Sequence, residues 1–376
     1  MVLTPRMKMK GIYLYMYAWL LCVPVFAQDE HAEIAEGISA YHLLFDASAQ
    51  DSVSCYRIPA LITATNGDLL AAIDERVPSC GDLKWSDDIN IVMRRSEDNG
   101  KSWSEVKTII DFPLGQSASD PSFILDEETG EVFLFYNFMD LKKEKDVYYL
   151  HMMKSKDHGQ SWSEPEDITT QITKPDWQQD LKFITSGRGT QTREGRLLHC
   201  LVNLDKGMHL FGSDDHGESW FLIDTPIKPA DESKVVELAD GRWMINSRVN
   251  ELGLRYVHIS DDEGKSWVSQ PDSSLLDPGC NASLIRYNFE KDGESQDCLL
   301  FSNLKSEEGR RNLNVRVSYD EGQSWTEGKV IYPGEAAYSS LTILKDGKIG
   351  LLFEKDDYTE NVFVSFTFDW LTTSRE

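Results

Sequence analysis

Apolar and polar residues alternate with a period of two in several short stretches of the chain: Ile89–Arg94 (INIVMR), Tyr148–Met153 (YYLHMM) and Leu313–Val317 (LNVRV). That period predicts strands with one face buried. Each of these stretches runs into the same phrase, Ser-x-Asp-x-Gly-x-Ser-Trp. It occurs five times, at Ser96–Trp103, Ser155–Trp162, Ser213–Trp220, Ser260–Trp267 and Ser318–Trp325, with successive Trp–Trp spacings of 59, 58, 47 and 58 residues. The phrase reads as a hairpin turn. Its Ser and Asp side chains bond nearby backbone N–H groups, its Gly supplies a positive φ, and its Trp returns as an apolar plug beneath the turn. The repeated acids Asp98, Asp157, Asp215, Asp262 and Asp320 are therefore turn formers rather than catalysts.

One strand–turn–strand unit per roughly 58 residues fits a four-stranded propeller blade. The first 27 residues do not share the pattern. Arg6, Lys8 and Lys10 precede an apolar run, Gly11–Phe26, broken by Pro24 and followed by Ala27. This predicts a signal peptide over residues 1–27 rather than a membrane anchor, which would need about 20 uninterrupted apolar residues. Residues 28–40 then form a lead-in. Residues 41–376 make one all-β, six-bladed β-propeller, with the unit that lacks a recognisable repeat shared between the two chain ends. The mature protein is expected to be exported, periplasmic or secreted, with no membrane insertion.

Charge narrows the choice of partners. The chain carries a net −25, and loss of the three basic residues of the leading segment deepens it. An acidic surface argues against nucleic acid and anionic membranes, so an anion site must work through local arginines. Of the five cysteines beyond the leading segment, Cys55, Cys80, Cys200, Cys280 and Cys298, an odd and widely spaced set is no disulfide framework, although one bridge is possible after export. They are read as buried small hydrophobes. No CxxC, HExxH or His/Asp cluster has the spacing of metal ligands, so neither a metal nor another cofactor is expected.

The repeats together with Tyr56–Leu61 (YRIPAL) resemble the sialidase (neuraminidase) family of microbes and animals, from about Tyr41 to Phe368. The repeat alone carries fold and not function, so the functional case rests on single residues. A sialic acid bears a carboxylate on its anomeric carbon, which calls for planar, always-charged donors. The resemblance implies three arginines from different blades: Arg57, Arg248 and Arg310, with Arg311 as the rival to the last. It implies that Glu354 orients the first of them, and that Arg76 and Asp120 lie around the 4-hydroxyl of the sugar.

For the chemistry the family is similar in using a tyrosine nucleophile, which as a neutral phenol avoids the repulsion that an attacking carboxylate would meet. A phenol of pKa about 10 needs an adjacent base. Tyr338 matches the tyrosine and Glu232 its base, with Asp231 and Glu237 as rivals. Asp82 matches the acid, and Asp87 and Asp88 are competitors read as solvated loop charges. Arg188 and Asn281 stand where many relatives carry other residues and are expected to line the substrate cavity. Trp85 is either a wall of the acyl-amino pocket or a turn aromatic.

The resemblance implies a retaining exo-α-sialidase that takes sialylated glycans and proceeds through a sialyl-tyrosine. The alternatives are a trans-sialidase, a hydrolase of a related nonulosonic acid, or a propeller that binds glycans without cleaving them.

Overall fold

The computed structural model describes residues 33–77, 79–291 and 294–373. The expected signal peptide lies outside them. Nearly all of the regular structure is β, and among the described residues no helix is long and apolar enough to cross a membrane.

Two antiparallel sheets have four strands each. One orders Cys55–Thr63, Leu69–Arg76, Ile89–Ser96 and Lys107–Ile110; the other orders Ser233–Glu237, Trp243–Ser247, Leu254–Ser260 and Val268–Leu276. Two more have five strands, built on Gln116–Leu125, Val132–Asp140 and Tyr149–Ser155, and on Leu197–Asn203, Gly207–Ser213 and Phe221–Ile227. The middle strands are covered on both faces by neighbouring sheets, which is why Leu197–Asn203 is buried at every residue and reads as an apolar run rather than an alternation.

The expectation of six separate blades is corrected here. Four sheets stand apart, and the remaining one has seven strands. The cause is one unbroken strand, Lys329–Ile343. Its first half pairs with Arg311–Ser318 (Val315 opposite Lys329, Arg311 opposite Glu335), and its second half with Ile349–Lys355 (Ala336 opposite Lys355, Ile343 opposite Ile349). The other edge of this sheet closes with the chain ends, as the first described strand, Ala40–Asp46, pairs antiparallel with Glu360–Phe366. The end of the lead-in is tied on by Ser39 N–H to the Ser365 carbonyl at 2.7 Å.

All five repeats adopt one turn, between the third and fourth strands of their units. In the first, Ser96 Oγ donates to Asp98 Oδ1 at 3.0 Å and accepts from Gly100 N–H at 2.9 Å. Ser102 N–H and Oγ donate to the two Asp98 oxygens at 2.8 and 2.5 Å. These bonds hold the Asp98 carboxyl down at about 2. The residue before the glycine is also left-handed in every copy, for example His216 at φ 56° and Glu263 at φ 58°. The third strand of a unit runs parallel to the first, so all five turns lie at the end of the sheets where the first strands finish.

The cysteine reading needs one correction. Cys55 and Cys80 form a disulfide with Cα atoms 5.7 Å apart, tying the start of the first sheet to the loop after Leu69–Arg76. Cys200, Cys280 and Cys298 are free and buried, as expected.

Candidate active site

The first strands of the units begin together at one end of the molecule, and three of them lose regular register there. The slips fall between Arg57 and Ala60, between Ser119 and Ser122, and between Ala336 and Ser339. Bulges of this kind re-aim side chains and leave ladder amides unpaired. Two of them sit at X-Pro, with Ile58 before Pro59 at φ 65° and Asp120 before Pro121 at φ 63°. A β-branched residue in that region is strained. Buried carboxylates take the freed amides: Ile58 N–H donates to Glu354 Oε1 at 2.8 Å, Tyr338 N–H to Glu354 Oε2 at 2.9 Å, and Asp120 N–H to Asp74 Oδ1 at 2.9 Å. Glu354 and Asp74 thus hold the bulges open, and both are fully buried.

The side chains so aimed converge on one phenol. Tyr338 O–H donates to Glu232 Oε2 at 2.7 Å. Arg248 Nη1 donates to the same Glu232 oxygen at 2.6 Å and to the Tyr338 hydroxyl at 3.3 Å. Arg57 and Arg310 place their guanidinium carbons 5.8 and 5.7 Å from the centre of the Tyr338 ring. Arg57 Nε also donates to Glu354 Oε1 at 2.8 Å, and its guanidinium lies 3.9 Å from the ring centre of Tyr358. Burial works against the charge on Arg57 and on Arg248, but Glu354 beside the first and Glu232 beside the second outweigh it and raise both above the usual guanidinium range. Burial, and then the Glu232 charge, push the Tyr338 phenol well above its ordinary value. The hydroxyl is therefore neutral at rest, with a carboxylate already on its proton.

A second group lies beside the first. The buried Arg76 donates Nε and Nη2 to Asp74 Oδ2 at 3.2 and 2.9 Å, and Nη1 to Asp82 Oδ1 at 2.7 Å. Asp82 itself is 66% exposed, so Arg76 joins a fully buried carboxylate to one at the surface. Asp120 Oδ2 accepts from Asn137 Nδ2 at 3.0 Å. Burial, followed by the neighbouring Asp74 charge, raises the Asp120 carboxyl to about 8. The charge of Arg57 opposes that of Arg76, and that of Glu232 opposes ionisation of Asp120, so the two groups share one field.

The structure brings Arg57, Arg248, Arg310, Glu232, Tyr338 and Glu354 into one cluster, and Arg76, Asp82 and Asp120 into the adjoining one. It separates the rivals. Asp231 accepts from Glu232 N–H and from Asn250, Glu237 pairs with Arg193 at 3.2 Å, and Arg311 is exposed. The expectation for Arg188 is corrected, because it lies at the opposite end of the first strands, in a cavity with Glu237 and Arg286. Asn281 is buried below the tyrosine cluster, accepting from Lys234 Nζ and donating to Ser186 Oγ, each at 2.8 Å. Trp85 is 67% exposed on the turn after Asp82.

Sequence reasoning does not reach Asp74, Tyr358 or Lys234. Asp74 lies two residues before Arg76 on the same strand, and that same-face spacing is its only signal. Tyr358 sits in a left-handed turn with no motif. Among the described residues, no group of three or more His, Cys, Asp or Glu is placed to hold a metal ion.

Fold and site together define an all-β, propeller-like protein with three arginines from different units around a buried tyrosine–glutamate pair. The chain belongs to the BNR repeat-like domain family, whose model matches residues 67–351. It is similar to a sialidase of Micromonospora viridifaciens, 36% identical over 346 residues that cover 84% of this chain and 52% of that protein. The chain thus spans about half the length of that relative. Among solved structures it is similar to the Hadza microbial sialidase Hz136, with TM-score 0.79, 28% identity and coverage of 88% of this chain and 69% of that one. An intramolecular trans-sialidase of Ruminococcus gnavus has the same fold, with TM-score 0.75, 20% identity and coverage of 91% of this chain and all of that one.

Proposed function

We propose that this chain is a retaining exo-α-sialidase, acting on terminal α-linked sialic acids of glycoproteins, glycolipids and oligosaccharides and needing no cofactor. The observation that carries the reading is the Tyr338 hydroxyl, hydrogen-bonded to Glu232 at 2.7 Å in a ring of three arginines. Ordinary glycosidase sites pair two carboxylates; this arrangement suits a substrate that brings its own negative charge.

Arg57, Arg248 and Arg310 hold the substrate carboxylate. Glu354 fixes both Arg57 and the Tyr338 backbone, so clamp and nucleophile share one anchor. Arg76 and Asp120 contact the sugar near its 4-hydroxyl. Asp82, positioned by Arg76, gives its proton to the glycosidic oxygen as that bond breaks. The Tyr338 oxygen bonds to the anomeric carbon while its proton passes to Glu232. In the second half, Asp82 as carboxylate takes a proton from water, the water oxygen attacks the anomeric carbon, and the departing Tyr338 oxygen recovers its proton from Glu232. The carboxylate of the substrate competes with Glu232 for Arg248, which frees Glu232 to accept that proton.

At the level of the whole chain, the seven-stranded sheet counts as two blades fused through Lys329–Ile343. With the four separate sheets this gives a six-bladed propeller over residues 41–376, exported after removal of residues 1–27.

The test is proton NMR of the purified protein with sialyllactose, following the first anomer of free sialic acid. Early α-anomer that later mutarotates supports retention and hydrolysis. Transfer to added lactose without free sialic acid would move the reading to a transferase. Binding without release would reduce the chain to a glycan-binding propeller.

A further inference from the structure

The first strands that start at the tyrosine site finish around a cavity of about 540 Å³. Five of them line it, through Thr63, Leu125, Glu237, Arg286 and Thr342, and Arg188 joins from the short strand Gly187–Arg188. At about 3.3 Å per residue, the run from Tyr338 to Ile343 sets this mouth roughly 16 Å from the phenol. It is therefore separate from the proposed active site, and nothing argued for that site uses it.

The charged groups at this mouth are paired, apart from Arg188 and the rim acid Glu127. Arg193 Nε donates to Glu237 at 3.2 Å and its two terminal nitrogens donate to the Ala239 and Leu238 carbonyls. Arg286 Nη1 donates to Asp297 at 2.5 Å, and Nη2 to Glu321. The Arg188 guanidinium makes no hydrogen bond and no ion pair with any described residue. It sits between Gly187 and Gly189 on the short strand that pairs with Ser122 and Phe123. Glu127, on the rim, is the nearest source of opposing charge and makes no ion pair with it. Arg188 is partly buried and opens onto the cavity, and burial pulls its guanidinium down to about 10. A guanidinium with no acid of its own leaves its donors to whatever enters the cavity, and its planar fork fits two oxygens of one anion.

We propose that this far mouth is an anion-binding site, in which Arg188 takes a small molecule bearing a carboxylate or a phosphate. The two neighbouring arginines are held by their own acids, so Arg188 is the one guanidinium fork there left to an incoming anion. It is suited to a single oxyanion group. The cavity is large enough for more than an inorganic ion, within the range of small-molecule sites.

The experiment is calorimetric titration of the full chain with inorganic phosphate at constant ionic strength, in wild type, Arg188→Gln and Arg248→Leu. Thermal melts would establish that each variant is folded. The expected result is binding that Arg188→Gln weakens by roughly tenfold or more, through loss of the charge-assisted fork, and that Arg248→Leu leaves in place. Binding that survives Arg188→Gln, binding lost only in Arg248→Leu, or no binding by wild type would each overturn the proposal. Should Arg188→Gln fail to fold, wild-type crystals soaked in selenate decide the matter: an anomalous peak at the Arg188 guanidinium supports the site, and its absence rejects it. Sialidase turnover by Arg188→Gln should stay at the wild-type level, so failure here is distinguishable from failure of the proposed activity.

Discussion

At the scale of single residues, the case turns on what each side chain does to its neighbour's proton. On the proposed mechanism, Tyr338→Phe removes the nucleophile and leaves the arginines in place. Turnover should fall by about 10³-fold or more, while KM for a sialoside changes little, because the interaction lost belongs to the transition state; steady-state kinetics would separate the two. By the same proposal, Asp82→Asn removes the proton donor and not the clamp. Its loss of kcat should be large on sialyllactose and much smaller on an aryl sialoside, whose leaving group needs no proton. Equal losses on both would take the acid role from Asp82. Residues carried by a short local phrase can be reached through the family resemblance, and the structure places them in the two adjoining clusters: Arg57 in Arg-Ile-Pro, Tyr338 among small neighbours, Asp82 in its loop. Asp74 and Tyr358 cannot, because their importance lies in what crosses from another strand or turn. Sequence reasoning misplaces Arg188 because a strand has two ends, and its residues do not say which one faces the substrate.

At the scale of elements, three bulges and one disulfide build the site. Asp74 and Glu354 replace the ladder bonds that the bulges lose, and Asp120 rests on the fully buried Asp74. The Asp120 carboxyl is raised to about 8, against about 3.9 in the unfolded chain. The folded state therefore holds a proton that the unfolded state releases, and stability falls as pH rises from about 4 through about 8. Asp120→Asn abolishes that slope: its melting temperature should match wild type near the acid end and exceed it increasingly toward pH 8. Thermal melts across that range would show it, and parallel curves would deny the buried proton. The Cys55–Cys80 bridge closes a 25-residue separation and anchors Asp82, two residues beyond Cys80, to the strand that carries Arg57. Its removal in Cys55→Ala/Cys80→Ala should cost about 3 kcal/mol in denaturant unfolding and lower kcat more than KM, since the acid loop is what it steadies. The turns themselves are fully readable from sequence, because Ser, Asp and Gly act within their own eight-residue phrase. The bridge is not, since two cysteines in an unpaired set of five do not announce each other.

For the whole molecule, the ring is closed by a strand from one end of the chain laid on a strand from the other. Ala40–Asp46 covers Glu360–Phe366, which in turn holds Ile349–Lys355, the strand of Glu354. Without it, an apolar edge strand (Val362, Val364 and Phe366 are fully buried) would face water and other chains. The alternation in the sequence locates one strand in each of three units, and the repeat spacing implies units of one size. Neither reveals that Lys329–Ile343 runs unbroken through two of them, because continuity across a bulge leaves no turn residue to read. A chain starting after Asp46 should therefore lose more than local order: soluble yield falls, the melting temperature drops by well over the few degrees of a point mutant, and turnover disappears with Glu354's support. Leu44→Asp, which keeps the strand and breaks its buried contact (Leu44 is 2% exposed), should fall between wild type and truncation in melting temperature while leaving the Asp82 loop untouched. If the truncated chain melted and turned over like the intact one, closure would not be what holds the Glu354 strand in place.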